Sequence, residues 1–296
     1  MREFLGLDGY HREAEGFFSW QHLLFVSLLM VIMVVLAVVL GKKYRDKPME
    51  EKNKVLVVAA IAINAFEIFK IVVMCIRSED GFAKILHLLP LFLCSIQLLA
   101  LPIAAFAKGQ LKDAALDFVF VFGILGAVLG TFGAAQNYNA YPVLSLDNVV
   151  SGITHTISGF ASLYIAFSGM DSMLKKDIPV VFGILGAFCV LAYIVNVLVD
   201  YNYMFLMRGD GTPYDILYNL VGGNKVLYPL SVVLLFYLYI ICFQAIYSKI
   251  KEKMTAKATE NTEIAETAET AEALPVNDVT ENEALSEAAI ADSTQE

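Results

Sequence analysis

Seven apolar runs of about twenty residues constrain this chain more than anything else in it. They lie near 19–40, 55–76, 83–107, 114–132, 149–170, 178–199 and 226–247. At about 1.5 Å per helical residue each is long enough to cross a hydrocarbon layer of about 30 Å. A backbone in lipid must satisfy its own hydrogen bonds, which leaves the helix as the way for such runs to cross. The expected fold is therefore all-α, a polytopic membrane bundle of seven transmembrane helices. Composition agrees: 58% of residues are hydrophobic and 17% charged, against an apolar share of about 45–50% in soluble domains. The first run, from Ser19 to Leu40, is too long for a signal-peptide core and has no cleavage motif, so it is expected as the first membrane helix.

Lysine and arginine give the expected orientation. Loops 41–54, 108–113, 171–177 and 248–257 carry fourteen of them, whereas the opposite side carries six: Arg2, Arg12, Arg77, Lys84, Arg208 and Lys225. The positive-inside rule then puts the N-terminus outside and the C-terminus in the cytosol. Three parts are expected: an interfacial segment over 1–18, the bundle over 19–247, and a disordered acidic cytosolic tail over 248–296. Residues 255–296 hold eleven Asp/Glu against one Lys and no aromatic residue, too little apolar surface to fold alone. The net charge of −9 resides in that tail and says nothing about a substrate. The outer connections 133–148 and 200–225, rich in Asn, Tyr, Gly and Pro, are expected to cap the outer face. The heptapeptide VFGILGA occurs at 121–127 and 181–187 with unmatched flanks, which reads as chance reuse of small apolar letters rather than a repeat.

Polar residues inside these runs point to a site. In the stretch 87–102, HLLPLFLCSIQLLALP, a continuous helix would place His87, Pro90, Cys94 and Gln97 within an arc of about 80°. Ser151, His155, Ser158 and Ser162 follow i, i+4, i+7, i+11 spacing in the fifth run, and the second run adds Asn64, Glu67 and Lys70. Polar stripes in hydrocarbon face protein or water. With His22 and Asn196, they predict an outward-facing polar cavity among the first, second, third, fifth and sixth helices. Its expected lining is His22, Asn64, Glu67, His87, Gln97, Ser151 and Asn196 around Cys94 and His155.

Each residue also has a plainer role. Ser151, Thr154 and Ser158 are expected to bond backbone or a neighbouring helix, as serines and threonines in membranes do. Glu67 and Lys70 pair simply, with Lys70 snorkelling. His22 beside Trp20 reads as an interfacial residue, and a lone Cys94 as a small hydrophobe. His155 resists this treatment, because a histidine two turns deep needs a partner for each ring nitrogen. A metal site of His22, His87 and His155 would need three helix ends to converge, and the local ligand spacing is missing. No metal or cofactor is expected, and nothing supports nucleic-acid binding.

Several motifs carry a resemblance. WQHLL (20–24), LPLFLCSI (89–96), His155 and NYMFL (202–206) with Pro213 and Asp215 resemble the YwaF-like bacterial integral membrane proteins, over most of 1–247. That family is similar to a eukaryotic transmembrane family described as a lipid acyltransferase that uses a cysteine and a histidine. The resemblance implies Cys94 and His155 in those roles by position. This chain departs from the pattern at Phe92, where members often carry a histidine two residues before the cysteine.

The expected protein is a multi-pass cell-membrane protein whose partners are membrane lipids or a small-molecule ligand. One function is Cys/His-dependent acyl transfer or hydrolysis on lipids, with Cys94 as nucleophile and His155 as base. Counting helical rise from the outer ends leaves about 7 Å between the two to close. The alternative is a small-solute transporter or receptor using the same cavity, with Glu67 and His155 as titrating or binding groups.

Overall fold

The structure is a computed structural model that describes residues 1–170 and 178–272. Among these residues, seven helices carry the fold: α1 Trp20–Tyr44, α2 Met49–Arg77, α3 Gln97–Phe106, α4 Gln110–Phe132, α5 Leu146–Ser168, α6 Ile178–Val199 and α7 Leu227–Glu272. Six of them are long and apolar enough to cross a membrane, and α3 is not. The protein is thus an all-helical, multi-pass membrane protein.

Seven continuous membrane helices were expected, and the third run departs from that. It begins as a 3-10 helix at Gly81–His87, passes through turns, and becomes regular only in α3. Pro90 accounts for the break. It lacks an N–H, its ring excludes the carbonyl one turn earlier, and it drives Leu89 away from helical backbone. The stripe of His87, Pro90, Cys94 and Gln97 therefore does not exist as one helical face.

Local signals explain the helix ends. The Ser19 and Ser145 hydroxyls cap α1 and α5 by accepting from the N–H groups of His22 and Asn148 at 3.2 and 3.3 Å. Gly169 ends α5 with left-handed backbone, φ 67°.

The chain divides into two units, Met1–Phe243 and Gln244–Glu296. In the first, α4 and α5 form the centre: 50% and 56% of their apolar windows are buried, against 17% to 22% for α1, α2 and α6. Glycines allow close approach. A methyl group on Gly123 would run into the backbone of Ser158, and one on Gly159 into Met33 and Ala127. Gly183, the counterpart of Gly123 in the second VFGILGA, faces open space. The described part of the second unit continues α7 to Glu272, within the segment expected as a tail. Residues 273–296 of that tail, and loop 171–177 with two of the counted lysines, lie outside the described residues.

The N-terminal segment is tied down. The Tyr10 hydroxyl donates to Asp147 at 2.7 Å and accepts from Arg77 at 2.9 Å, and Arg77 forms an ion pair with Asp147. Burial, with the Asp147 carboxylate beside it, pushes the Tyr10 phenol up to about 12. Further along, the Val143 N–H donates to Glu15 at 2.7 Å and the Phe17 N–H to Asn139 at 2.9 Å.

Candidate functional site

A cavity of about 370 Å³ lies in the first unit. Its apolar wall includes Ile63, Met74, Leu89, Phe92 and Leu98, and its polar side carries Glu67, Lys70, Lys84, His87 and Asp147. Cys94, His155 and Ser158 line it as well.

His155 is held in a defined tautomer. Its Nδ1 lies 2.7 Å from the Ser151 carbonyl and 3.3 Å from the Ser151 hydroxyl. A carbonyl only accepts, so Nδ1 carries the proton and Nε2 keeps its lone pair. Cys94 is the other neighbour of the ring: both residues line the cavity, and both pack on the same helix, α4, at Gly126 and Gly130. Cys94 is partly accessible, as is the exposed Cys242, whereas Cys75 and Cys189 are buried. The pair is therefore a thiol with a base at hand inside a cavity a small molecule can occupy.

The face of α4 makes this meeting sterically possible. Gly126 lies against Cys94, its would-be Cβ 3.5 Å from the cysteine Cβ, and one turn on Gly130 lies so close to His155 that a methyl there would overlap the imidazole. Cys94 itself sits just ahead of α3, in the turn that the Ser95 hydroxyl closes by accepting from the Phe92 N–H and donating to the Phe92 carbonyl, both at 3.0 Å.

Breaking a helix in a membrane leaves backbone groups to be satisfied, and Tyr203 meets two of them. Its hydroxyl donates to the Leu86 carbonyl at 2.7 Å and accepts from the Leu89 N–H at 3.0 Å. Tyr203 is fixed in turn by Asn196, which accepts from the Tyr203 N–H at 2.6 Å and donates to its carbonyl at 3.0 Å. Phe92 packs edge-on against Tyr203 with centroids 5.2 Å apart, and His87 stacks on Tyr201 at 5.0 Å. The departure at Phe92 thus sits in an aromatic cluster with residues of the NYMFL segment.

The remaining candidates fall into two groups. Glu67 and His87 line the cavity with Cys94 and His155, and Glu67 is paired with Lys70 at 2.8 Å. His22, Asn64, Gln97, Ser151 and Asn196 do not line it. His22 is fully buried, Nδ1 accepting from the Phe18 N–H at 3.1 Å and Nε2 bonding the Thr131 carbonyl at 3.2 Å. Asn64 joins helices by donating to the carbonyls of Ala60 and Leu98 at 3.0 and 3.1 Å. Gln97 is buried with both amide atoms unpartnered. Ser151 supports His155, and Asn196 supports Tyr203.

Sequence reasoning missed Tyr203 as a support, although NYMFL was in view, because its partners are more than a hundred positions away. It also missed the Arg77–Asp147–Tyr10 clasp, which joins three separate segments.

No curated protein and no solved structure matches the chain. The family model described as TMEM164 family matches residues 17–247, which include Cys94, His155, Tyr203 and the whole of the cavity lining, and the chain belongs to that family.

Proposed function

We propose that this protein, a YwaF-like member of its family resident in the cell membrane, transfers acyl groups of membrane lipids through Cys94. The observation that carries the reading is the partnership of Cys94 with His155 in one cavity. His155 Nε2 takes the thiol proton as the sulfur attacks a lipid ester carbonyl, and the new S–C bond places an electron pair on the carbonyl oxygen. Collapse breaks the ester C–O bond, and the leaving alkoxide takes the proton from the imidazolium. A second lipid hydroxyl, or water in a hydrolase, then attacks the thioester with His155 again as base, and Cys94 is regenerated.

The placement of the third run supports seven crossings. Near its start, Leu86 and Leu89 bond to Tyr203 just beyond α6, and near its end the Ala105 carbonyl accepts from Asn53 at 2.7 Å near the start of α2. An interrupted segment joining opposite ends of the bundle fits a crossing. Together with the lysine and arginine balance it supports an outer N-terminus, a cytosolic C-terminus and a cavity open to the outside.

An electrophilic lipid-like probe should label purified protein at Cys94, and Cys94→Ala and His155→Ala should each abolish labelling while the bundle stays folded. The alternative, a small-solute transporter or receptor, draws on the Glu67–Lys70 pair in the same cavity. It predicts a silent Cys94→Ala and altered ligand binding in Glu67→Gln. A well-folded protein whose Cys94 stays unlabelled would remove the acyl-transfer reading and leave that one.

A further inference from the structure

One buried serine differs from the other buried serines and threonines in the described bundle. Thr131, Thr154, Thr156, Ser162 and Ser168 all donate to carbonyls, at 2.7, 3.1, 2.7, 2.6 and 3.4 Å. The Ser145 hydroxyl caps α5, and Ser151 lies against His155. Ser158 is 3% exposed and its Oγ has no partner, although Ser158 lines the cavity that holds Cys94 and His155. A membrane serine ordinarily bonds a carbonyl of its own helix or a neighbour. A buried donor left unused is costly, so an unspent hydroxyl in the cavity of a nucleophile and a base points to a partner that arrives with the substrate.

The glycine face of α4 shows where Ser158 lies relative to the pair. Gly123 abuts Ser158, Gly126 abuts Cys94, and Gly130 abuts the His155 ring. At 1.5 Å per residue these marks are about 4.5 and 6 Å apart along the axis. Along α4, Cys94 therefore lies between the two α5 residues, with His155 on one side and Ser158 on the other. The main-chain N–H of Cys94, in the turn ahead of α3, is carried by the nucleophile's own residue.

We propose that Ser158 Oγ, together with the Cys94 N–H, donates to the oxygen of the ester carbonyl that Cys94 attacks, and so stabilises the oxyanion of the tetrahedral intermediate. This rests on the acyl-transfer reading of the site. As the S–C bond forms and the proton passes to His155, the carbonyl π pair moves onto oxygen, and the negative charge meets two donors held in place beforehand. The charge returns to the carbonyl when the C–O bond breaks. The same pair serves again when the acceptor hydroxyl attacks the thioester. Ser158 keeps its proton throughout and is a hydrogen-bond donor, not a nucleophile.

Two reagents separate this role from a structural one. A p-nitrophenyl ester of a medium-chain fatty acid acylates Cys94 through an oxyanion, whereas iodoacetamide alkylates it by displacement at a saturated carbon and forms none. With both followed at the Cys94 peptide by mass spectrometry, Ser158→Ala should slow acylation about 100-fold and leave alkylation unchanged. Ser158→Thr, which keeps a hydroxyl, should restore most of the acylation rate. Equal acylation of wild type and Ser158→Ala would overturn the proposal. So would a parallel loss of both reactions, which is the mark of a packing role. A wild-type Cys94 that is alkylated but never acylated would sink the acyl-transfer reading itself, and this proposal with it.

Discussion

His22 and His155 are both histidines in membrane helices, yet their surroundings use them in opposite ways. Around His22 both nitrogens are taken up by main chain: Nε2 carries the proton for the Thr131 carbonyl, and Nδ1 accepts from Phe18. Tyr138 covers the ring at 3.9 Å, and nothing is left for a ligand. Around His155 the proton sits on the other nitrogen, bonded to Ser151, and the free lone pair meets a thiol in a cavity. A histidine whose bonds are all internal holds two elements together, whereas one with a nitrogen to spare can move a proton. The difference lies in which nitrogen the main chain occupies, not in depth or residue type.

Three substitutions test that contrast, and the largest effect is expected at Gly130. A methyl there overlaps the His155 ring, so Gly130→Ala should push the imidazole off Cys94 and lower the rate of Cys94 labelling by about 100-fold, the share of a general base. Labelling at the wild-type rate would mean that the ring does not need its present seat. His22→Phe keeps the ring volume and loses both main-chain bonds. It should leave labelling unchanged while costing about 2 kcal/mol of stability in a denaturation series. A labelling defect there would erase the distinction between the two histidines. The smallest change is expected for Tyr203→Phe, which strips the hydroxyl from Leu86 and Leu89 at a cost of about 1–2 kcal/mol. Hydrogen exchange at the Leu89 amide should report it, and unaltered protection would show that another group satisfies that N–H.

Much of this architecture was legible because long apolar runs leave a chain few choices. Five of the six long helices fall within six residues of the runs that announce them, and α7 continues past its run to Glu272. The third run misled because hydropathy does not register a proline, although Pro90 was there to be weighed. Polar residues in a membrane segment are legible as polar, but their partners are not. His155 and its need for two partners could be named from the sequence, and its meeting with Cys94 depends on two glycines of another helix. Periodicity on one helix likewise cannot reveal that Ser158 would be the serine left without a bond.

The clamp of Asn196 on Tyr203, and of Tyr203 on the broken third segment, has a mechanical side. Met204 and Phe205 next to it hold left-handed backbone, φ 56° at each, a conformation that costs a non-glycine residue of order 1–3 kcal/mol and persists only where the surroundings impose it. The C-terminal end of α6, the turn after it and the stretch leading to Cys94 are therefore linked in series by four hydrogen bonds. A displacement of that turn must either snap those bonds or drag the thiol along α4, so a molecule pressing on the turn after α6 has a lever on the nucleophile without touching it.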